Sequence, residues 1–235
     1  MPMFYFGDPT FIILIPALLF AFYAQFKVQS AFQKYSQMQS QKGYTGAQVA
    51  RDILDRVGLT DVPVEITRGR LTDHYDPKNR VMRLSPEVYN GNSIAALGVA
   101  AHETGHAIQH MEGYSFLNLR NAIYPVAAFG SQAAFPIFFI GLLFGSGVGY
   151  TLMTLGIYMF LAALVFQVIT LPVEFNASSK ALMLLNNGNY LTVDETNKAK
   201  KVLTAAALTY VAAVAMAAAQ ILRLLILRGS RRDYE

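Results

Sequence analysis

Three long stretches of the chain contain no charged residue, and their lengths predict membrane-spanning helices. They cover residues 9–26, 121–170 and 202–222. A helix needs roughly 20 apolar residues to cross the hydrocarbon core of a bilayer. The first and third stretches have room for one such helix each, and the second has room for two, broken near residues 145–149. The pattern therefore predicts four hydrophobic helices, with a polar insert between the first and the second.

The predicted fold is a mainly α membrane protein whose polar insert is a small α+β unit with a short antiparallel sheet. No Lys or Arg precedes the first apolar run, so we expect a retained anchor rather than a cleaved signal. A buried core helix is the alternative for each stretch, above all for the alanine-rich last one. The predicted segments are an anchor (1–27), the polar insert (28–120), a membrane hairpin (121–171), a helix with a connector (172–201), and a hydrophobic helix with a basic tail (202–235).

Within the insert, short local signals predict the individual elements. Thr45 and Gln48 form a capping box for a helix that ends near Gly58. Asn92 or Ser93 is expected to cap a later helix that stops at Gly113. Alternating or β-prone runs predict three strands between these two helices, at residues 62–67, 71–75 and 80–84.

Two further helices are predicted after the membrane hairpin. Pro172 is expected to start the first of them, because proline is favoured in the first turn of a helix. That helix should end at Asn187-Gly188. A second capping box, Thr192 to Glu195, then predicts the start of the last long helix.

Composition narrows the class of protein. Only 14% of the residues are charged, against roughly 25% in ordinary soluble domains. The chain has no cysteine, so any zinc site must use nitrogen and oxygen ligands. The net charge of +4 is most simply explained by lysines beside an anionic lipid surface. No basic patch interleaved with aromatic residues suggests a nucleic-acid partner.

The positions of the basic residues predict an orientation. Lys27, Lys34 and Lys42 follow the first apolar stretch closely, so the N-terminus is expected outside and the insert in the cytoplasm. Lysines after the hairpin agree with this arrangement. The arginines near the C-terminus do not, so either the last helix does not span the membrane fully or the rule fails there. These arginines are Arg223, Arg228, Arg231 and Arg232.

The run His102-Glu103-Thr104-Gly105-His106 carries the chemistry of the insert. On a helix, residues four apart lie on the same face, so both imidazoles can reach one metal ion. Glu103 is placed to act on a water bound to that metal. The pattern H-E-x-x-H is typical of zinc metalloproteases, in which the glutamate is the general base.

Catalytic zinc usually has three protein ligands, so one more is needed. His110 lies about 12 Å along the helix axis from His102, which is too far for one shared ion. The metzincin pattern needs Gly and His where this chain has Gln109 and Glu112. A carboxylate from another helix remains, and Glu174 fits best. Its alternative interpretation is a favourable charge at a helix N-terminus, and the residues alone leave both open.

These residues together resemble a known family. The run from Ala101 to Gln109, the preceding strand-turn-strand and the motif Pro-Val-Glu-Phe-x-Ala-Ser at residues 172–178 resemble the YugP-like neutral zinc metallopeptidases of bacterial membranes. More distantly the chain resembles the HtpX group of gluzincins, whose third ligand lies in Glu-x-x-Ala-Asp. The resemblance implies a zincin-like catalytic insert with Glu174 as the third zinc ligand. Ser178 stands where that group has aspartate.

The resemblance also leaves supporting roles to be filled. Ser178 could orient a zinc-bound imidazole, with Asn176 and Asp73 as alternatives. A donor to the oxyanion of the transition state is also needed, and the edge of the 71–84 ribbon could pair with an extended substrate. The candidate oxyanion donors are His74, His110, Tyr114 and Tyr210.

The sequence predicts a multi-pass integral membrane zinc endopeptidase with its site facing the cytoplasm, and the resemblance implies that the membrane is that of a bacterial cell. Its cofactor would be Zn²⁺, its substrate a protein or peptide, and its surroundings the lipid bilayer. Zinc would lower the pKa of a bound water, and Glu103 would carry the proton from that water to the leaving amine. The alternative is a non-proteolytic zinc-binding membrane adaptor.

Overall fold

A computed structural model describes residues 9–144 and 147–232, with the side chains of residues 231 and 232 left aside. A 3-10 helix at Pro9–Leu14 leads into the first of seven α-helices found in these residues. Three short strands lie between the second and third helices. The helices are α1 (Ile15–Ser36), α2 (Gly46–Arg56), α3 (Pro86–Tyr89), α4 (Ile94–Met111), α5 (Ser115–Leu143), α6 (Val148–Asn187) and α7 (Val193–Arg232), and the strands are β1 (Val64–Ile66), β2 (His74–Asp76) and β3 (Val81–Leu84).

Among the residues that the structure describes, four helices are long and apolar enough to cross a membrane, as the charge-free stretches predict. They are Pro9–Ser36, Ser115–Leu143, Val148–Asn187 and Val193–Ser230. Large apolar side chains stay exposed on them, such as Phe26 (71%) and Phe129 (69%). Lipid can cover such side chains, whereas water would not favour them. The mainly α membrane fold with a small sheet is confirmed.

The chain divides into two compact units. The first holds residues 1–24, 119–170 and 209–235, and the second holds residues 25–118 and 171–208. Within the first unit, Phe138, Met153, Ile157 and Leu224 form a buried apolar cluster. Within the second, a larger core packs around α4 and includes Leu54, Met82, Leu84, Ile94 and Leu97.

The sheet is mixed, which corrects the expectation of an antiparallel one. Its strand order is β1-β3-β2. β2 and β3 pair antiparallel, as the turn at residues 76–79 predicts, but β1 pairs parallel to β3. Residues 67–73 connect β1 to β2, and β2 does not pair with β1. Instead β3 lies between the two strands, antiparallel to β2 and parallel to β1. Tyr75 of the edge strand β2 lies opposite Met82 in the register.

Both capping boxes are present. Thr45 Oγ1 accepts from the Gln48 amide, and the Gln48 side chain accepts from the Thr45 amide. Thr192 and Glu195 make the equivalent pair at the start of α7, and Glu195 also accepts from the Gln41 amide at 2.8 Å. These bonds satisfy donors that a helix N-terminus leaves open.

The predicted start of a helix at Pro172 is wrong, since Pro172 lies inside the 40-residue α6. Proline lacks the amide that an interior position would donate, yet the helix continues past it. Two expectations fall partly outside the described residues: the break near 145–149 includes Gly145 and Ser146, and the retained anchor includes residues 1–8.

Candidate metal centre

Two imidazoles lie side by side on α4. Ser93 caps this helix, its Oγ accepting from the Ala96 amide at 3.1 Å. Small residues bury one face of the helix in the core of the second unit, among them Ala100, Ala101 and Gly105. The rings of His102 and His106 lie one turn apart, with centroids separated by 4.8 Å and planes at 84°.

Glu174 meets both rings from α6. Its Oε2 lies 3.3 Å from His102 Nε2 and 3.7 Å from His106 Nε2. Its side chain is almost fully buried, with 6% exposed. Because α6 begins at Val148, Glu174 is many turns from the helix N-terminus, so the interpretation as a charge on the helix dipole is wrong.

The three donors fit a zinc ion in chemistry and spacing. One ligand atom from each of His102, His106 and Glu174 can be chosen so that all lie within 4.8 Å of one another. A tetrahedral ion with ligands at about 2.1 Å holds its donors about 3.4 Å apart, close to the distances from Glu174 to the imidazoles. Among the described residues this group has three members, the number typical of a catalytic site, in which the fourth position holds water.

A glycine permits the close approach of α4 and α6 that brings these donors together. A Cβ built on Gly105 would lie 2.7 Å from the carbonyl oxygen of Ala177 and 3.2 Å from its Cα. Both neighbouring atoms belong to backbone, which cannot swing aside. The two helices therefore touch between the histidine pair and the turn that carries Glu174 and Ser178.

A side chain contacts the Nδ1 atom of each imidazole within hydrogen-bond distance. Ser178 Oγ lies 3.2 Å from His102 Nδ1, and Gln109 Oε1 lies 3.0 Å from His106 Nδ1. These contacts leave both Nε2 atoms directed toward Glu174. Such partners orient metal-binding imidazoles and select the ring nitrogen that binds.

Glu103 is held by the edge strand of the sheet. The Tyr75 amide donates to Glu103 Oε2 at 3.1 Å, so a backbone group of β2 fixes the position of this carboxylate. Burial raises the pKa of the Glu103 carboxyl above its ordinary value, and the adjacent His102 and His106 act in the opposite direction. A carboxylate with a raised pKa is a better proton acceptor near neutral pH.

The remaining predicted residues have other partners. Asn176 Oδ1 accepts from Gln109 Nε2 at 2.9 Å, and the Asp73 carboxylate accepts from the Ser85 amide at 2.7 Å and from its hydroxyl. His110 Nδ1 lies 2.9 Å from the Tyr75 hydroxyl, and His74 Nδ1 lies 2.8 Å from the Thr72 carbonyl oxygen. Tyr114 stacks at a tilt on Phe116, and Tyr210 lies on α7 within the first unit.

Sequence reasoning missed two contributors, Gln109 and the backbone of Tyr75. The spacing of Gln109 was the available signal, because a residue three positions after His106 lies on the same helix face. The amide of Tyr75 carries no such signal, because any residue type supplies one.

Comparison with known proteins shows the family of the chain. A family described as "Putative neutral zinc metallopeptidase" matches residues 10–229. The chain belongs to this family. A Bacillus subtilis (strain 168) protein named "Putative membrane protease YugP" is 52% identical over 221 residues, which cover 94% of this chain and 97% of that protein. No solved structure matches the chain. The resemblance to the YugP-like neutral zinc metallopeptidases is thereby confirmed.

Proposed function

We propose that this protein is an integral membrane zinc endopeptidase in which His102, His106 and Glu174 bind the metal and Glu103 is the general base. The observation that carries the proposal is a group of three donors, two partly buried imidazoles and the buried carboxylate of Glu174, with the separate carboxylate of Glu103 beside it. The zinc metallopeptidase family and the membrane protease relative support it.

When bound, zinc supplies a Lewis acid that polarises the scissile carbonyl and makes water acidic enough to be deprotonated near neutral pH. Glu103 takes the proton from the attacking water and gives it to the leaving amine, so the carboxylate is regenerated in each cycle. The Tyr75 amide keeps Glu103 in place, and Ser178 and Gln109 keep the imidazole rings in the plane that binding requires.

The non-proteolytic adaptor is the competing function. A structural zinc site is closed by four protein ligands and has no use for a base. In the described part of the chain the group has three members and Glu103 adjoins it. This arrangement favours hydrolysis over a purely structural role.

The substitution Glu103→Gln separates the two functions. Gln keeps the shape of the side chain but accepts no proton, so we expect zinc to be retained while cleavage falls by about 10²–10⁴-fold. The purified full-length protein in detergent would be assayed for zinc by elemental analysis and for cleavage of an unfolded protein such as casein.

Glu112→Gln is the matched control, because Glu112 lies at the end of the same helix and pairs with Lys180 at the surface. It should keep both zinc and activity. Cleavage at the wild-type rate by Glu103→Gln would overturn the mechanism. Bound zinc without any cleavage by the wild-type protein would favour the adaptor.

A further inference from the structure

The side chain of Gln109 is fully buried, although glutamine is a residue usually found at the surface. A buried amide is costly unless its donors and acceptor are all bonded. Gln109 meets this requirement with three partners: His106 Nδ1 at 3.0 Å, the Val173 carbonyl oxygen at 2.8 Å and Asn176 Oδ1 at 2.9 Å. One partner lies on α4 and two lie on α6.

The Val173 carbonyl fixes which way the amide points. A backbone carbonyl only accepts hydrogen bonds, so the NH₂ group of Gln109 must face it. Asn176 Oδ1 accepts the second hydrogen of the same group. The oxygen of Gln109 is therefore left to face His106, and this assignment follows from chemistry alone.

The orientation of the amide then fixes the histidine. An amide oxygen only accepts, so His106 Nδ1 must carry the hydrogen of the 3.0 Å bond. In a neutral imidazole the other nitrogen, Nε2, then has a lone pair. This is the nitrogen that lies 3.7 Å from Glu174 Oε2.

We infer that Gln109 is a positioning residue: it holds His106 in the tautomer whose Nε2 can bind zinc and ties that histidine to the segment of α6 that carries Glu174. Val173 precedes Glu174 directly, so one side chain sets the relation between the second and third ligands. The inference rests on the proposed function, because it concerns the same zinc site.

Ser178 is not equivalent at the other histidine. A hydroxyl both donates and accepts, so its 3.2 Å contact with His102 Nδ1 is compatible with either tautomer of that ring. Gln109 selects one tautomer, so removing its side chain should raise the zinc Kd more than removing the Ser178 hydroxyl.

Zinc affinity tests the inference. Gln109→Met keeps the length of the side chain but removes every hydrogen bond, and we expect the zinc Kd of the full-length protein, measured by competition with a chelating dye, to rise about 10–100-fold. Gln109→Glu keeps an acceptor for His106 Nδ1 while losing the donors to Val173 and Asn176. It should show a smaller rise.

Ile108→Val is the matched control, because Ile108 is the buried neighbour on α4 and contributes only apolar packing. It should lower the thermal stability slightly and leave the zinc Kd unchanged. A change in Kd for Ile108→Val equal to that for Gln109→Met would reduce Gln109 to a packing residue and overturn the inference.

The tautomer can be observed directly. The chain has four histidines, so ¹⁵N-labelled imidazoles give few signals. In the metal-free protein, at a pH at which the imidazole rings are neutral, His106 should carry its hydrogen on Nδ1 in the wild type and in Gln109→Glu. In Gln109→Met the proton should shift toward Nε2.

The two proposals fail in different ways. If the wild-type protein binds no zinc, the proposed function fails. If the wild type binds zinc and cleaves while Gln109→Met shows the wild-type Kd and tautomer, the positioning role alone is wrong. Should Gln109→Met not fold, the neutral His106 ring of the wild type still decides, because a hydrogen on Nε2 and none on Nδ1 contradicts the inference.

Discussion

At the scale of single residues, Gly105 sets how closely α4 can approach α6. Replacement by alanine would place a methyl group 2.7 Å from the Ala177 carbonyl oxygen, so the two helices must move apart. We expect Gly105→Ala to lower the free energy of unfolding by about 1–3 kcal/mol, the usual effect of overpacking. Because the shift separates Glu174 from the histidines, zinc affinity should fall as well.

Gly98→Ala is the control for Gly105→Ala, since both glycines lie on α4. A Cβ at Gly98 would lie 3.5 Å from the Ala199 Cβ, an ordinary contact. Alanine also favours helix by about 0.8–1.0 kcal/mol, so this variant should be at least as stable as the wild type and bind zinc equally well. Thermal unfolding and dye competition measure both quantities, and equal zinc binding by the two variants would contradict the role given to Gly105.

The histidines and Glu103 could be predicted because their spacing is local and the helix period alone places them. Glu174 needed the family resemblance, since a contact between distant helices leaves no mark on neighbouring residues. Gln109 escaped prediction for a different reason. Its burial depends on the packing of α6 against α4, which local sequence does not encode.

At the scale of elements, Tyr190 ties the α6–α7 connection to α2. Its hydroxyl donates to the Asp52 carboxylate, and Arg56 pairs with the same carboxylate at 2.9 Å. The hydrogen bond from Tyr190 holds the pKa of Asp52 below its ordinary value, with Arg56 helping and desolvation opposing. This contact holds the end of α6 on the core of the second unit.

Tyr190→Phe should therefore lower the free energy of unfolding by about 1 kcal/mol at neutral pH. The loss of a fully buried hydrogen bond to a charged group would cost more, but Asp52 is half-exposed and solvent weakens its bond. A carboxylate with a lowered folded pKa stabilises above its ordinary value of about 4, and this contribution disappears as the pH falls through the folded pKa. The difference in Tm between variant and wild type should thus shrink as the pH falls below about 4.

Tyr44→Phe provides the comparison for this pH profile. Tyr44 packs edge-on against Tyr190 with centroids 5.7 Å apart, yet Tyr190 makes the bond to Asp52. Loss of the Tyr44 hydroxyl should leave the pH profile of stability unchanged. A Tyr190→Phe difference that did not diminish as the pH fell below about 4 would show that the bond to Asp52 is not its source.

Local signals predicted the capped helix starts correctly, but not the direction of β1 or the position of Pro172. A capping box satisfies its donors within four residues, so its outcome is decided locally. The direction of β1 relative to β3 depends instead on the path of residues 67–73 between the strands. The prediction from Pro172 was wrong for the same reason. A proline in a helix interior costs about 3 kcal/mol, yet α6 continues through Pro172, so packing beyond the local sequence sustains the helix.

At the scale of the whole molecule, the four long apolar helices allow a test of the proposed orientation. The chain has no cysteine, so a single introduced cysteine reports one position. Lys42→Cys, in the exposed loop after α1, should be shielded in intact cells from a membrane-impermeant maleimide, because the lysines that follow α1 favour the cytoplasm.

Val148→Cys is expected to report the opposite side, if α5 crosses the membrane before this position. Val148 begins α6 and is 64% exposed, so it should react in intact cells. Labelling of Lys42→Cys but not of Val148→Cys would show that the orientation is the reverse of the predicted one.

The number of long apolar helices could be predicted because the absence of charge persists over whole stretches. Orientation depends on a few lysines and on arginines near the C-terminus that point the other way.

The separation of the proposed zinc ligands along the chain has a consequence for the life of the protein. The bond that joins α4 to α6 links residues 64 positions apart, with the whole of α5 between them. The ribosome therefore delivers both histidines well before it delivers Glu174. On the proposed function, a chain that ends before Glu174 is inert, and the ability to hydrolyse neighbouring polypeptides arises only after α5 and most of α6 have been synthesised.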